Sequence, residues 1–269
     1  MEYIGPFSFN GIRFALGSLS LLPLVFFREK KTRPVESLIP QFQGIHVLKW
    51  GFIAGILIFM GVSFQQWGMV YTTAGKAGFI TGLYVILVPL LGLFWGHRTR
   101  FYSWLAAGIA CIGLYFLSIN ESFQLSWGDL LEIIGAFFWA GHVLLIGWLT
   151  MRMDSIKLSC IQFAGCSILS LIAALLFETI TMAGVMGALI PILYGGLIST
   201  GIAYTLQVVA QKDAPPSHAS IIMSLEAVFA ALGGWIVLHE ILSMRSVLGC
   251  SLMLFGILLS QLQFFIKKK

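Results

Sequence analysis

The stretch YTTAGKAGFITGLYVILVPLLGLFWGH, Tyr71 to His97, decides the fold because the chain writes it twice. At a shift of 142 residues it falls on Ala219 to His239: Ala77 meets Ala219, Ile80 meets Ile222, Leu83 meets Leu225, Leu90 meets Leu232, Gly92 meets Gly234 and His97 meets His239. The small pair Gly78 and Gly82 becomes Ser220 and Ser224. Small residues four apart let two helices approach closely inside a bilayer. Internal symmetry between the halves of an apolar chain is characteristic of transporter folds built from repeats.

A second echo, at a shift of 149, pairs Ile12 with Ile161, Phe14 with Phe163, Ala15 with Ala164, Ser18 with Ser167 and Leu22 with Leu171. The composition says what solvent these repeats meet. The chain of 269 residues is 58% hydrophobic and 10% charged, where an ordinary globular domain carries roughly 25% charged residues. There is too little polar surface to cover a soluble fold, so lipid is the solvent for much of it. The net charge of +5 does not point to nucleic acid, because the basic residues sit in short connections between apolar runs. The first apolar run follows MEYIGPFSFNGIR and continues to Phe27 without an A-x-A site, so it reads as a span rather than a cleaved leader. Cys111, Cys160, Cys166 and Cys250 all lie inside apolar runs and form no CxxC pair. They read as buried small hydrophobes, not as disulfides or zinc ligands.

A crossing of the hydrocarbon core takes about 20 apolar residues. Nine runs qualify: 8–27, 46–70, 76–95, 102–119, 128–148, 157–177, 186–210, 216–238 and 246–266. Each must be helical, since lipid offers the backbone no hydrogen-bond partner. With the loop from Arg28 to Ile45 placed in the cytoplasm, 13 of the 16 basic residues collect on that side, among them Arg98, Arg100, Lys212 and Lys267 to Lys269. Only Lys76 and Arg245 fall opposite, and Arg13 lies inside the first run. The positive-inside rule then puts the C-terminus in the cytoplasm and Met1 outside. The echoes leave the halves unequal, with four runs in residues 1–119 and five in 128–269. Nothing before Met1 matches 128–148, so a first helix is expected to be missing, as a late start codon would produce. Copies with an odd number of helices insert in opposite senses, the inverted-repeat design.

The chain resembles the drug/metabolite transporter superfamily, in its EamA-type members. The resemblance is carried by GPFSFNGIRFALGSLSLLPL (Gly5 to Leu24), by Tyr71 to His97 with Pro89, and by YTLQVVAQKDAPPSHASIIMSLEAVFAALGGWIVLHE (Tyr204 to Glu240). It implies an all-α integral membrane protein of two inverted-repeat EamA bundles, here nine transmembrane helices of a ten-helix fold, around a central cavity. It also implies alternating access and movement of small metabolites, often outward. Two departures stand out. The family's first helix is absent, and Ala227 follows Glu226 where many members have a proline.

Several residues are candidates for the transport pathway. Glu226 lies near the middle of 216–238, where an acidic group costs at least about 2.5–3.5 kcal/mol on insertion scales. It reads as a carboxylate for a proton or a substrate amine, or as a hydrogen-bonded tie between helices. Its counterpart in the first copy is Tyr84. Tyr204, Gln207 and Gln211 form a polar stripe at i, i+3 and i+7, and Gln65 and Gln66 lie on the corresponding run. Their amides suit zwitterionic solutes or bind helices together. Glu132, Gly135, Trp139 and His142 share one face of 128–148; they line a cavity, or else Glu132 sits at the outer boundary and His142 bonds a neighbouring backbone. Arg13 either snorkels to the interface or meets an anion at a cavity mouth. Pro89 removes a mid-span hydrogen bond, as a substrate-site kink or a packing feature. Gly51/Gly55, Gly78/Gly82 and Gly92/Gly96 read as close helix contacts.

No GxxxxGK[ST], HExxH or GxSxG motif occurs, and the expectation is a carrier rather than an enzyme, with no cofactor and no metal. The expected function is secondary transport, as an exporter, of small amphipathic metabolites such as amino acids across the cytoplasmic membrane. Glu226, Gln207, Tyr204, Trp139, His142, Tyr84 and Gln66 would line the cavity, Pro89 would kink the gate, and a proton is the expected coupling ion. The partners are then a small-molecule solute and the lipid bilayer, without nucleic acid. The rival readings are a membrane enzyme acting on lipid-linked substrates and a non-transporting membrane subunit.

Overall fold

The computed structural model describes residues 3–29, 41–72, 74–96, 99–119, 126–237, 239 and 243–266. Among these every regular element is a helix. Seven helices are long and apolar enough to cross a membrane: Pro6–Phe27, Ile45–Gly68, Lys76–Phe94, Trp127–Leu149, Ser155–Phe177, Leu189–Gln211 and Pro216–Gly233. Two shorter apolar helices cover Phe101–Leu117 and Met244–Ser260. Residues 30–40, Arg98 and the three terminal lysines, which carry much of the positive-inside argument, lie outside the described residues, as does His97.

Contacts divide the chain into two compact units, Met1–Ser63 with Leu145–Ala214 and Phe64–Leu144 with Pro215–Lys269. Each unit therefore draws on both sequence copies. The helices α1 (Pro6–Glu29) and α7 (Ser155–Phe177) form the spine of the first unit. These are the two runs related by the shift of 149, and they pack on one another. The Ser18 hydroxyl donates to the Cys160 carbonyl oxygen at 2.9 Å, and the Ser167 hydroxyl donates to the Gly11 carbonyl oxygen at 2.8 Å. Moving from 11 to 18 on α1 moves from 167 to 160 on α7, so the two helices run antiparallel. Phe14 and its echo Phe163 meet between them with ring centroids 5.9 Å apart, both fully buried.

Two polar devices fix the ends of this pair. Glu178 accepts from the Phe7 and Ser8 amides at 2.8 Å each and from the Ser8 hydroxyl at 2.6 Å, satisfying the first turn of α1. Asp154 accepts from the Ile156 and Lys157 amides at 3.0 Å, capping α7. The helix α2 (Ile45–Gly68) lies against α7 through the Gly51/Gly55 pair, where a Cβ on Gly55 would come 2.7 Å from the Gln162 carbonyl oxygen. That pair is a close helix contact, as its spacing predicts. The span Leu189–Gln211 departs from α geometry: a π-helix runs from Tyr194 to Tyr204, and the Thr200 hydroxyl donates to the Gly195 carbonyl oxygen at 2.8 Å within it.

In the second unit a run corresponding to 76–95 is two helices, α3 (Ala74–Gly82) and α4 (Tyr84–Phe94), and its copy is likewise two, α11 (Pro216–Met223) and α12 (Leu225–Val237). The interrupting residues have nearly the same backbone, φ −60° and ψ −13° at Leu83 and φ −61° and ψ −15° at Ser224. A ψ this close to zero tightens the turn toward 3₁₀ geometry; the Leu83 amide accordingly donates to the Ile80 carbonyl at 3.1 Å. The helices α5 (Phe101–Ser118) and α13 (Met244–Ile266) pack antiparallel, crossing at Gly113 and Gly249. A Cβ on either would stand 2.6–2.7 Å from the other's carbonyl oxygen, so only glycine permits this approach. The core around them joins Val85, Ala106, Ala107, Ala110 and Ile221. Residues of α2 and of α6 (Trp127–Leu149) contribute to both units.

Candidate functional site

The two helix interruptions supply the walls of a cavity of about 140 Å³ inside the second unit. Gly82 and Tyr84 flank the first interruption and Ser224 and Glu226 lie at and after the second; all four line the cavity, with Gln65, Gly78 and Thr81 beside them. The backbone hydrogen bonds continue through both points, with the Ser224 amide donating to the Ser220 carbonyl oxygen at 3.1 Å and the Leu87 amide to the Leu83 carbonyl oxygen at 3.0 Å, so each span tightens there without losing its path. Gly78 has no heavy atom within 4 Å of where its Cβ would be. The Gly78/Gly82 pair thus departs from its expected reading as a helix contact: Gly82 abuts Leu114, while the missing side chain at Gly78 is cavity space.

The polar groups of the wall form a directed chain. The Gln65 amide nitrogen donates to the Thr81 hydroxyl oxygen at 3.4 Å, and that hydroxyl donates to Glu132 Oε2 at 2.9 Å. Glu132 is fully buried, and its Oε1 has no hydrogen-bond partner among the described residues. Room for it comes from Gly68, whose Cβ would lie 2.9 Å from the carboxylate. The Ser224 hydroxyl donates to the Ile221 carbonyl oxygen at 2.6 Å. Asp129, one turn before Glu132, serves its own helix start: it accepts from the Ser126 amide at 2.8 Å and from the Thr72 hydroxyl, while its amide donates to the Ser126 hydroxyl.

Of the residues singled out by sequence, Glu226 and Tyr84 stand together on this cavity wall. Gln66 lies next to the lining residue Gln65, with a buried amide oxygen that has no partner among the described residues. Trp139 and His142 belong to the same unit and pack edge to face on α6, ring centroids 6.2 Å apart. Tyr204 and Gln207 belong to the first unit. The Tyr204 ring sits 6.3 Å from Phe14 and 6.5 Å from Phe163, and Gln207 is half-buried in α10 (Thr205–Gln211). Arg13 stacks over Phe14, its guanidinium carbon 4.9 Å from the ring centre. Pro89 is buried within α4, six residues past the interruption at Leu83. Thr81 and Ser224 escaped notice as polar groups, and only Ser224's correspondence to Gly82 hinted at its place.

The EamA-like transporter family matches residues 1–119 and 126–262. An uncharacterized transporter of Archaeoglobus fulgidus is 30% identical over 265 residues, covering 98% of this chain and 79% of that protein. The uncharacterized transporter YoaV of Bacillus subtilis is 23% identical, over 97% of this chain and 89% of its own. A crystal structure at 18% identity shares the fold with a TM-score of 0.80, over 96% of this chain and 89% of that one. The chain belongs to the EamA-like transporter family and is a multi-pass, all-helical membrane transporter.

Proposed function

We propose that this transporter exports small amphipathic metabolites, amino acids among them, across the cytoplasmic membrane with its C-terminus inside, by exposing the cavity to each face in turn. The observation that carries the reading is the pair of helical spans that tighten at Leu83 and Ser224 with matching dihedral angles and bring Tyr84 and Glu226 to one cavity. A locally tightened turn is a point at which each span can bend while the site beside it stays formed. Glu226 holds the solute or the coupling proton, Tyr84 shapes the wall, and the chain needs no cofactor. Pro89 loosens α4 beyond the interruption, and Gln66, Trp139 and His142 support the wall from α2 and α6. Tyr204 and Gln207, in the first unit, are further polar groups for contact with the solute.

The test is solute flux in vesicles carrying the purified protein, with an amino-acid mixture loaded inside and an imposed proton gradient. Gradient-dependent efflux that Glu226→Gln abolishes supports the reading. Efflux from Glu226→Gln vesicles with unchanged pH dependence removes Glu226 from coupling, and absence of flux for every solute overturns the carrier.

A further inference from the structure

The hydrogens of the Thr81 and Ser224 hydroxyls are already committed, and this fixes what these two groups offer a ligand. Thr81 gives its hydrogen to Glu132 and receives one from Gln65, which leaves a single oxygen lone pair. Ser224 gives its hydrogen to the Ile221 carbonyl, so toward any ligand it too is an acceptor. Gln65, having turned its amide nitrogen to Thr81, keeps its carbonyl oxygen. Glu226 adds a carboxyl group, and Tyr84 an aromatic ring whose face attracts cations. Among the described residues no lysine or arginine lines the cavity.

Resting on the reading of this cavity as the solute site, we propose that it is an ammonium pocket. The wall presents acceptors at Thr81, Ser224, Gln65 and Glu226, and so selects a primary amine head group that brings its own N–H donors and positive charge. A carboxylate would meet the Glu226 carboxyl and the acceptor oxygens of Thr81 and Ser224, with the second Gln65 N–H as a lone neutral donor against them. Glu132 is a positioning residue. It lies behind Thr81, and by accepting the Thr81 hydrogen it keeps the hydroxyl oxygen turned into an acceptor. The volume of about 140 Å³ suits a small head group rather than a drug-sized molecule, for which sites of roughly 300–1,000 Å³ are usual.

The experiment is calorimetric binding to the purified full chain in lipid nanodiscs, with four probes of similar size: n-butylammonium, tetramethylammonium, butyrate and n-butanol. The expected result is that n-butylammonium binds at least about tenfold more tightly than the other three, since hydrogen bonds to a charged group are the strong ones. Glu226→Gln and Thr81→Val should each weaken it by about tenfold, with Thr81→Ser restoring affinity. Equal binding of butyrate overturns the proposal. So does tetramethylammonium matching n-butylammonium, which would make charge alone sufficient, or an affinity unchanged in Glu226→Gln. Vesicles that move carboxylates or neutral solutes while n-butylammonium fails to bind overturn the ammonium pocket and leave the carrier standing. Tight n-butylammonium binding without flux of any solute supports the pocket and overturns the carrier.

Discussion

Ser18 and Ser167 make the same hydrogen bond in opposite directions. The residues are related by the shift of 149, and so are their acceptors, Gly11 and Cys160; the hydroxyl of each serine reaches the carbonyl of the other copy at 2.9 and 2.8 Å. A reciprocal pair of this kind is what a local twofold between two antiparallel copies produces, and Phe14 against Phe163 lies on the same axis. Interhelical hydrogen bonds in membranes average about 0.6 kcal/mol and reach about 1.7 kcal/mol. Ser18→Ala and Ser167→Ala should therefore each cost about that much in unfolding from mixed micelles, and by similar amounts. A cost confined to one of the two would show that the reciprocity is geometric and not energetic.

The crossing of α5 and α13 depends on a different device. Gly113 and Gly249 each face the other's carbonyl oxygen at a distance no Cβ tolerates. Gly113→Val or Gly249→Val should destabilise the second unit by more than the roughly 1–3 kcal/mol usual for overpacking, since backbone and not a flexible side chain must move. Gly108→Ala, on the same helix with nothing within 4 Å, is the matched control and should be neutral. Thermal unfolding followed by tryptophan fluorescence distinguishes them.

At the start of α1, one carboxylate replaces the missing intrahelical acceptors. Glu178 takes two backbone amides and the Ser8 hydroxyl. Losing an N-terminal cap typically costs about 0.5–2 kcal/mol, so Glu178→Ala should fall near the upper end and Ser8→Ala near the lower. Hydrogen exchange of the Phe7 and Ser8 amides reads the effect locally: both should speed up in Glu178→Ala and stay slow in Ser8→Ala.

The order of the apolar runs and the repeat were legible because bilayer thickness acts on short stretches of sequence. The partners of a polar face were not. Glu132, Trp139 and His142 share a stripe by spacing, yet periodicity cannot say which helix meets it; Glu132 goes to Thr81 on α3, while Trp139 and His142 turn to each other. The helix interruptions were hidden for a related reason. Pro89 announces itself as a breaker, but the turn tightens at Leu83 and at Ser224, residue types with no such signature. Even the grouping of helices into units escapes a linear reading, since each unit takes elements from both copies. Copies that pack on each other instead of on their own neighbours leave no mark in spacing or composition.

Gly78 offers a way to close the cavity without disturbing the fold. Its Cβ position is open space, whereas Gly82, one turn on, already abuts Leu114. A leucine at 78 would therefore project into the cavity of about 140 Å³ and occupy a large part of it. Gly78→Leu should cut solute flux by at least about tenfold while the unfolding midpoint holds or rises, because replacing glycine within a helix gains up to about 1 kcal/mol of propensity. Gly82→Leu should instead lower the midpoint through its clash with Leu114. Flux in vesicles, measured beside the unfolding midpoint, separates the two effects. Full flux in a stably folded Gly78→Leu protein would mean that solute travels by another route.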